Sequence, residues 1–131
     1  MIGLDTNVLV RYLTKDDPAQ FERARKHIAA GVAAGERFVI SSAVLCELVW
    51  VLRGAYRYTR VEIAGAVERM LATAEFDIEH ADEARKALEE FRTTKADFSD
   101  ALIGRIHRSL GAAHTATFDR DLAGLETFHM L

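Results

Sequence analysis

Apolar and polar positions change period along the chain and predict short strands alternating with helices. The segments MIGL, RFVIS, FDIE, AAHTATF and TFHML have the length and bounds of strands, and MIGL shows no alternation, which indicates burial on both faces. Apolar residues at helical spacing occur in TNVLVRYL, DDPAQFERARKHIAAG, SAVLCELVWVLR, TRVEIAGAVERMLATA, HADEARKALEEFRTT and DFSDALIGRIHRSLG. A turn, DRDLAGL, separates the last two predicted strands.

Two of the predicted helices begin with strong start signals. Asp17 is expected to cap the second helix, with Pro18 at its first position and Gln20 closing a capping box. The fourth helix opens with the same type of box, formed by Thr59 and Glu62. These signals fix where the helices start.

Strands separated by helices predict a parallel sheet that helices cover on both faces, the α/β class. Two successive helices in the middle of the chain are the one departure from strict alternation. The chain has 131 residues, about half of them apolar, with one proline and eight glycines, and no repeat or linker composition. We therefore predict a single domain that covers residues 1–131.

Composition excludes several classes of protein. The longest apolar stretch, AVLCELVWVL, is interrupted by Glu47 and is about half the length that spans a bilayer, so no membrane segment is expected. The N-terminus has no signal-peptide pattern, and the single Cys46 excludes a disulfide framework, so the expected location is the cytoplasm. A net charge of −3 neither indicates nor excludes nucleic-acid binding.

Several acidic residues lie where the chain leaves a predicted strand or enters a helix. Asp5 follows the first strand and Asp119 the fourth, and a helix cap or an ordinary turn could explain either one alone. Glu47 lies among apolar residues without a nearby cation, where burial requires a metal, a proton or an ion pair with a distant arginine. Asp97 and Asp100 could form the cap and third position of one helix.

Taken together, these acids indicate a metal site. Asp5, Glu47, Asp100 and Asp119 would converge on one rim of a parallel sheet, where ligands bind beyond the carboxyl ends of the strands. Carboxylates gathered in one pocket repel each other unless a cation neutralises them, and oxygen ligands without His or Cys favour Mg²⁺ or Mn²⁺ over zinc. Such a site serves phosphate chemistry, and no phosphate-binding glycine loop or nucleophilic triad competes with that interpretation.

Four segments in order along the chain resemble the PIN-domain ribonucleases, most closely the VapC-type toxins of prokaryotic toxin–antitoxin pairs. They are DTNVLV, the glutamate in SSAVLCELVWVL, DFSDALI and TFDRDL, and the resemblance runs from end to end of the chain. It implies a three-layer α/β/α sandwich with a central parallel sheet of four to five strands. It also implies metal-dependent cleavage of single-stranded or looped RNA.

The resemblance also implies roles for individual residues. The residues in the positions of the acidic quartet are Asp5, Glu47, Asp100 and Asp119. The side chains that would support them by hydrogen bonding are Thr6, Asn7 and Thr117. Asp121 would hold a water molecule near the ion or bind the ion itself, and Asp97 is either an additional ligand or a helix cap.

Substrate and partners follow from the same resemblance and from the charges near the acids. The cations expected to contact RNA phosphates are Arg11, Lys15, Arg53, Lys95 and Arg120. The two helices on either side of residues 53–59 have more than one apolar face, which suggests a groove for an antitoxin peptide or a homodimer surface. The chain has no DNA-binding motif, so recognition of an operator would belong to the antitoxin.

Two other functions remain open from the sequence. A phosphatase with an aspartyl nucleophile also places an aspartate after its first strand, but the second acid expected two residues later is Asn7 here. A PIN-like module could instead bind RNA or protein without cutting it. An intact set of four acids favours the nuclease over such a module.

Overall fold

The computed structural model describes residues 1–131, which form two compact units, Met1–Glu79 and His80–Leu131. The elements of the first unit are β1 (Ile2–Gly3), α1 (Thr6–Thr14), α2 (Pro18–Ala33), β2 (Phe38–Ile40), α3 (Ser42–Gly54), α4 (Arg60–Ala72) and β3 (Phe76–Ile78). The elements of the second unit are α5 (Ala81–Thr93), α6 (Phe98–Ser109), β4 (Thr115–Thr117), a 3₁₀ turn (Arg120–Leu122) and β5 (Phe128–Met130).

The first unit contains a three-stranded parallel sheet in the order β1-β2-β3. Ile2 pairs with Phe38, which in turn pairs with Phe76, so that one row of side chains crosses the sheet. Phe38 and Ile40 are fully buried, and the rings of Phe38 and Phe76 meet edge to face at 6.3 Å. Because parallel neighbours need long connections, α1 and α2 separate the first two strands, and α3 and α4 the next two.

The predicted helix starts are confirmed with one correction. Asp17 caps α2 by accepting a hydrogen bond from the backbone N–H of Gln20, and Pro18 occupies the first position. Thr59 and Glu62 make both bonds of the capping box on α4. The box predicted at Gln20 is only half formed, because its side-chain oxygen accepts a hydrogen bond from the guanidinium of Arg11 at 2.6 Å instead.

In the second unit, α5 packs along α6, and a two-stranded parallel sheet joins β4 to β5. The rings of Phe91 and Phe98, one on each helix, meet edge to face at 6.3 Å. Arg105 of α6 makes a two-pronged ion pair with Glu90 of α5, with nitrogen–oxygen distances of 2.9 and 3.2 Å, and also contacts Glu126. All five strands of the chain lie in parallel pairs, which confirms the predicted α/β fold.

None of the helices combines the length and the apolar character that crossing a membrane would require. α2, the longest, has 16 residues and carries charged side chains along its length.

Candidate functional site

Asp5 lies at the end of β1 and caps α1. Its backbone is extended, and one carboxylate oxygen accepts a hydrogen bond from the N–H of Thr6 at 2.7 Å. The side chain is exposed and makes no ion pair, and its second oxygen has no partner in the protein. The cap and the metal ligand, which were alternatives for this residue in the sequence, are therefore compatible: the cap needs one oxygen and leaves the other available.

Glu47 differs from the sequence expectation, because it is exposed rather than buried. It lies in α3 beside the fully buried Leu45 and Leu48, whose side chains take the core-facing side of the helix. An exposed carboxylate carries little desolvation cost, so it requires no counter-charge, and Glu47 makes neither an ion pair nor a hydrogen bond. The buried residues of α3, which are Leu45, Leu48, Val49 and Leu52, form the face opposite to the solvent.

The two acids at the start of α6 take different positions. Asp97 is the N-cap, with one oxygen accepting a hydrogen bond from the N–H of Phe98 at 3.0 Å. Asp100 lies in the first turn of the helix and is half-buried, next to the fully buried Ala101 and Leu102. The N-terminal end of a helix favours negative charge, so both carboxylates are electrostatically stabilised there.

Asp119 follows β4 at the start of the 3₁₀ turn. Its backbone N–H donates to the hydroxyl of Thr117 at 3.0 Å, and one of its carboxylate oxygens accepts from the N–H of Asp121 at 2.9 Å. These two bonds hold the chain in a fixed turn as it leaves the strand. Asp119 and Asp121 are both exposed, and the second oxygen of Asp119 has no partner in the protein.

The residues expected to support Asp5 are divided between core and surface. Thr6 contributes its backbone N–H to Asp5, while its side-chain hydroxyl is buried and has no hydrogen-bond partner. Asn7 is exposed in the first turn of α1. Two further buried hydroxyls, those of Ser99 and Thr127, also lack partners, so an unbonded hydroxyl is not special to the Asp5 region.

No group of three or more His, Cys, Asp or Glu side chains is gathered into a ready metal site. The fit of a metal ion is therefore judged from the donors themselves. Asp5 and Asp119 each keep one oxygen that no protein group uses, and Glu47 keeps both. Exposed carboxylate oxygens without cationic partners are suitable ligands for Mg²⁺ or Mn²⁺, and they fit the predicted chemistry.

The cations predicted to contact RNA have different environments. Arg11 is held by α1, α2 and the segment after α3, because its guanidinium donates to Gln20, to both oxygens of Asp16 at 3.0 Å and to Tyr56 at 2.9 Å. Lys15 ends α1 with a positive φ of 57° and places its ammonium 5.1 Å from the ring centre of Phe21. The remaining three cations are exposed: Arg53, Lys95 and Arg120.

The network around Asp16 was not predicted from the sequence. Asp16 accepts hydrogen bonds from Arg11, from the hydroxyl of Thr14 at 2.8 Å and from the hydroxyl of Tyr56 at 2.7 Å. These bonds, that of Tyr56 first, lower the pKa of Asp16 from 3.8 to about 2. Tyr56 lies 40 residues away along the chain, so no local pattern could have revealed the pair.

The chain is similar to known proteins over most of its length. The family model of the PIN domain matches residues 2–126. A VapC ribonuclease of Aquifex aeolicus (strain VF5) is 26% identical over 117 residues, which cover 89% of this chain and 86% of that protein. No solved structure gives a significant match. The resemblance seen in the sequence motifs is thus confirmed across nearly the whole chain.

Proposed function

Because the chain belongs to the PIN-domain family, we propose that it is a divalent-metal-dependent endoribonuclease that hydrolyses phosphodiester bonds in RNA. The observation that supports the proposal most strongly is the hydrogen bonding of the Asp5 and Asp119 carboxylates. Each leaves a parallel strand, is fixed by a backbone hydrogen bond to one carboxylate oxygen, and keeps the other oxygen exposed and unpaired. A carboxylate that is held in place and yet left without a cation is arranged to bind one.

In this proposal, Asp5, Glu47, Asp100 and Asp119 hold Mg²⁺ or Mn²⁺. When bound, such an ion lowers the pKa of a water molecule and stabilises charge on phosphate oxygens. The chain's own contribution is to fix the ligands before the ion arrives. The N–H of Thr6 orients Asp5, while Thr117 and the N–H of Asp121 orient Asp119. Ligands that are already oriented lose less conformational entropy on binding.

The remaining acids and polar residues have secondary roles. Asp97 caps α6 and thereby fixes the turn from which Asp100 projects, so we assign it a positioning role rather than that of a ligand. Asp121 holds Asp119 through its backbone, which leaves its own exposed carboxylate able to bind a water molecule near the ion. Asn7 is exposed two residues beyond Asp5 and can donate to the substrate or to that water.

From the resemblance of the motifs to VapC-type toxins, which the VapC ribonuclease relative supports, we propose that the nuclease is the toxin of a toxin–antitoxin pair and acts in the cytoplasm. The side chains of Trp50 on α3 and Val61 on α4 are 54% and 82% exposed, and a peptide or a second copy of the chain could cover them. We assign these helices to an antitoxin or homodimer contact. Sequence-specific DNA binding would belong to the antitoxin. Exposed Arg53, Lys95 and Arg120 would contact RNA phosphates.

One observation favours a second candidate, a PIN-like module that binds RNA or protein without cutting it. This is the absence of a ready group of three metal-ligating side chains. The two functions differ in their response to divalent cations. A silent module would bind RNA equally well with and without Mg²⁺ and would release no cleavage products.

The test is cleavage of a panel of structured and single-stranded RNAs with Mg²⁺, with Mn²⁺ and with excess EDTA. We expect products with either ion and none with EDTA, and calorimetry should detect ion binding to the wild type that weakens in Asp119→Asn. Cleavage that persists in EDTA would exclude the metal mechanism. Failure to bind either ion, together with no cleavage of any RNA, would favour the silent module.

A further inference from the structure

A groove of about 560 Å³ lies between α1 and α2 in the first unit, and none of the four acids lines it. Its lining residues on α1 are Asn7, Val8 and Arg11, and those on α2 are Gln20, Arg23, Ala24 and His27. The four α2 residues follow the spacing i, i+3, i+4 and i+7, so they form one face of that helix. The volume lies within the range of pockets that hold small ligands or single units of a polymer.

The charged residues that line the groove are basic. They are two arginines and a histidine, and of these Arg11 is paired with Asp16, which does not line the groove. Arg23 is exposed and makes no ion pair or hydrogen bond, so its charge is uncompensated. All the hydrogen-bond donors of its guanidinium are therefore available to an anion that enters the groove. The groove is therefore suited to an anionic occupant.

Arg11 adds a donor that is already oriented. Its Nε donates to Gln20 and its Nη1 donates to Asp16 and Tyr56, which fixes the plane of the guanidinium. The Nη2 amino group makes no hydrogen bond, and Arg11 lines the groove. A guanidinium held in this way can bind a phosphate without losing further side-chain freedom.

The position of the groove relates it to the proposed active site. Asn7, which lines the groove, lies two residues beyond Asp5 in the first turn of the same helix. Two residues correspond to a rise of about 3 Å along the helix axis. A strand whose scissile phosphate reached Asp5 would thus have the adjoining part of its backbone at the mouth of the groove.

We propose that the groove between α1 and α2 binds the phosphodiester backbone of the RNA strand beside the cleaved bond. Arg23 and the Nη2 group of Arg11 are the phosphate donors. Asn7 and His27 provide polar edges for the attached ribose or base. This inference rests on the proposed nuclease function and names two contacts, Arg23 and His27, that the sequence analysis did not select. An acidic peptide is the competing occupant.

The experiment measures RNA binding apart from cleavage. The full-length chain carrying Asp119→Asn, without added metal, is titrated into a labelled single-stranded oligouridylate, and fluorescence anisotropy is followed over a series of salt concentrations. Adding Arg23→Gln should weaken binding about tenfold, the lower end of the range for a charge-assisted hydrogen bond. It should also reduce the slope of log K against log salt by about 0.7, one phosphate contact on a single strand.

The matched control is Lys26→Gln, which removes the same charge from the same helix. Lys26 is exposed and does not line the groove, so its loss should leave both affinity and slope nearly unchanged. A second variant, His27→Gln, should weaken binding by a smaller factor without altering the fold. Circular dichroism of each variant shows whether α2 is intact, and Arg23→Lys should restore the salt slope if Arg23 acts through its charge.

Three results would overturn the proposal. Equal effects of Arg23→Gln and Lys26→Gln would show that only overall charge matters. No detectable binding of the oligouridylate would remove RNA as the occupant. If Arg23→Gln left RNA binding unchanged but abolished binding of a polyglutamate peptide, the groove would be assigned to an acidic protein partner. If the Asp119→Asn chain binds RNA through Arg23 while the wild type cleaves no RNA with Mg²⁺ or Mn²⁺, the proposed nuclease function fails and the groove assignment stands.

Discussion

Two aspartates lie at opposite ends of α1 and have opposite environments. Asp16, just beyond the C-terminal end, has both oxygens occupied by Arg11, Thr14 and Tyr56. Asp5, at the N-terminal end, accepts one backbone hydrogen bond and meets no cation. Both residues are aspartates with exposed side chains, so neither residue type nor exposure explains the contrast. The difference indicates that Asp16 connects parts of the fold, whereas Asp5 retains an oxygen for something that is not part of the chain.

The same comparison separates Arg11 from Arg23. Arg11 is neutralised by Asp16 and joins α1 to α2 and Tyr56, so most of its hydrogen-bonding capacity serves the fold. Arg23 lies across the same groove with no counter-charge. What separates Arg23 from the equally exposed Lys26 is that Arg23 lines the groove, where its guanidinium donors are available to an anion.

The largest expected effect comes from removing charge at Asp5 without removing its cap. Asparagine caps helices about as well as aspartate, so Asp5→Asn should leave the melting temperature of the protein unchanged. The rate of RNA cleavage should fall by more than about 100-fold, beyond the range for residues that only support a metal ligand. Single-turnover cleavage and thermal unfolding measure the two quantities. Retained activity in a folded Asp5→Asn protein would contradict the assignment.

Glu47→Gln should give the next largest loss. Glu47 has no partner in the protein, so the substitution breaks no bond and should not change stability. Cleavage at low Mg²⁺ should fall by a smaller factor than in Asp5→Asn and should recover partly as Mg²⁺ is raised, because an amide is a weaker ligand than a carboxylate and lowers the affinity for the ion. The matched control is Glu89→Gln, which removes the same charge from an exposed residue on α5. Glu68 is not used, because it has an interaction of its own. Equal effects at Glu47 and Glu89 would exclude a special role for Glu47.

The order and type of the elements could be predicted from the sequence because local signals agree with the fold. Pro18 after Asp17 and the Thr59–Glu62 box mark helix starts that depend on a few adjacent residues. Gln20 fits the same local rule, but Arg11 competes for its side chain, and that competition depends on how α1 meets α2. Local rules therefore succeed until a long-range partner offers a better bond.

The candidate site was only partly predictable for the same reason. The positions of Asp5 and Asp119 after strands follow from the strand pattern. The exposure of an individual side chain does not follow from it. Glu47 was expected to be buried because it lies in an apolar run, but the structure exposes it. A run of apolar letters can wrap around a helix and still leave one position open to solvent. Arg23 and His27 are one turn apart on α2, a spacing visible in the sequence, but their groove exists only once α1 packs beside them.

Asp16→Asn should reverse the pattern expected for Asp5→Asn. It removes the ionic acceptor shared by Arg11 and Tyr56, so the melting temperature should fall by a few degrees. The cleavage rate per folded molecule should stay close to that of the wild type, because Asp16 is not among the proposed ligands. Asp17 caps α2 and is not a suitable control. Asp82 on α5, whose ion pair with Arg85 is exposed and so contributes little, can be changed to asparagine in parallel. A large loss of activity without a loss of stability would mean that Asp16 belongs to the site.

The smallest expected effect is a shift in one titration. The hydroxyl of Tyr56 is the first cause of the low pKa of Asp16, so Tyr56→Phe should raise that pKa from about 2 toward 3.8. A folded-state pKa below the unfolded value means that the network stabilises the fold above pH 3.8 and that this stabilisation is lost as the pH falls through about 2. In Tyr56→Phe the stabilisation should therefore be smaller, and its loss should be complete at a higher pH. Carboxyl carbon shifts of Asp16, followed by NMR between pH 5 and pH 2 in the wild type and in Tyr56→Phe, measure the change. An unchanged Asp16 titration would mean that Arg11 and Thr14 alone hold the carboxylate, and that Tyr56 follows Asp16 rather than fixing it.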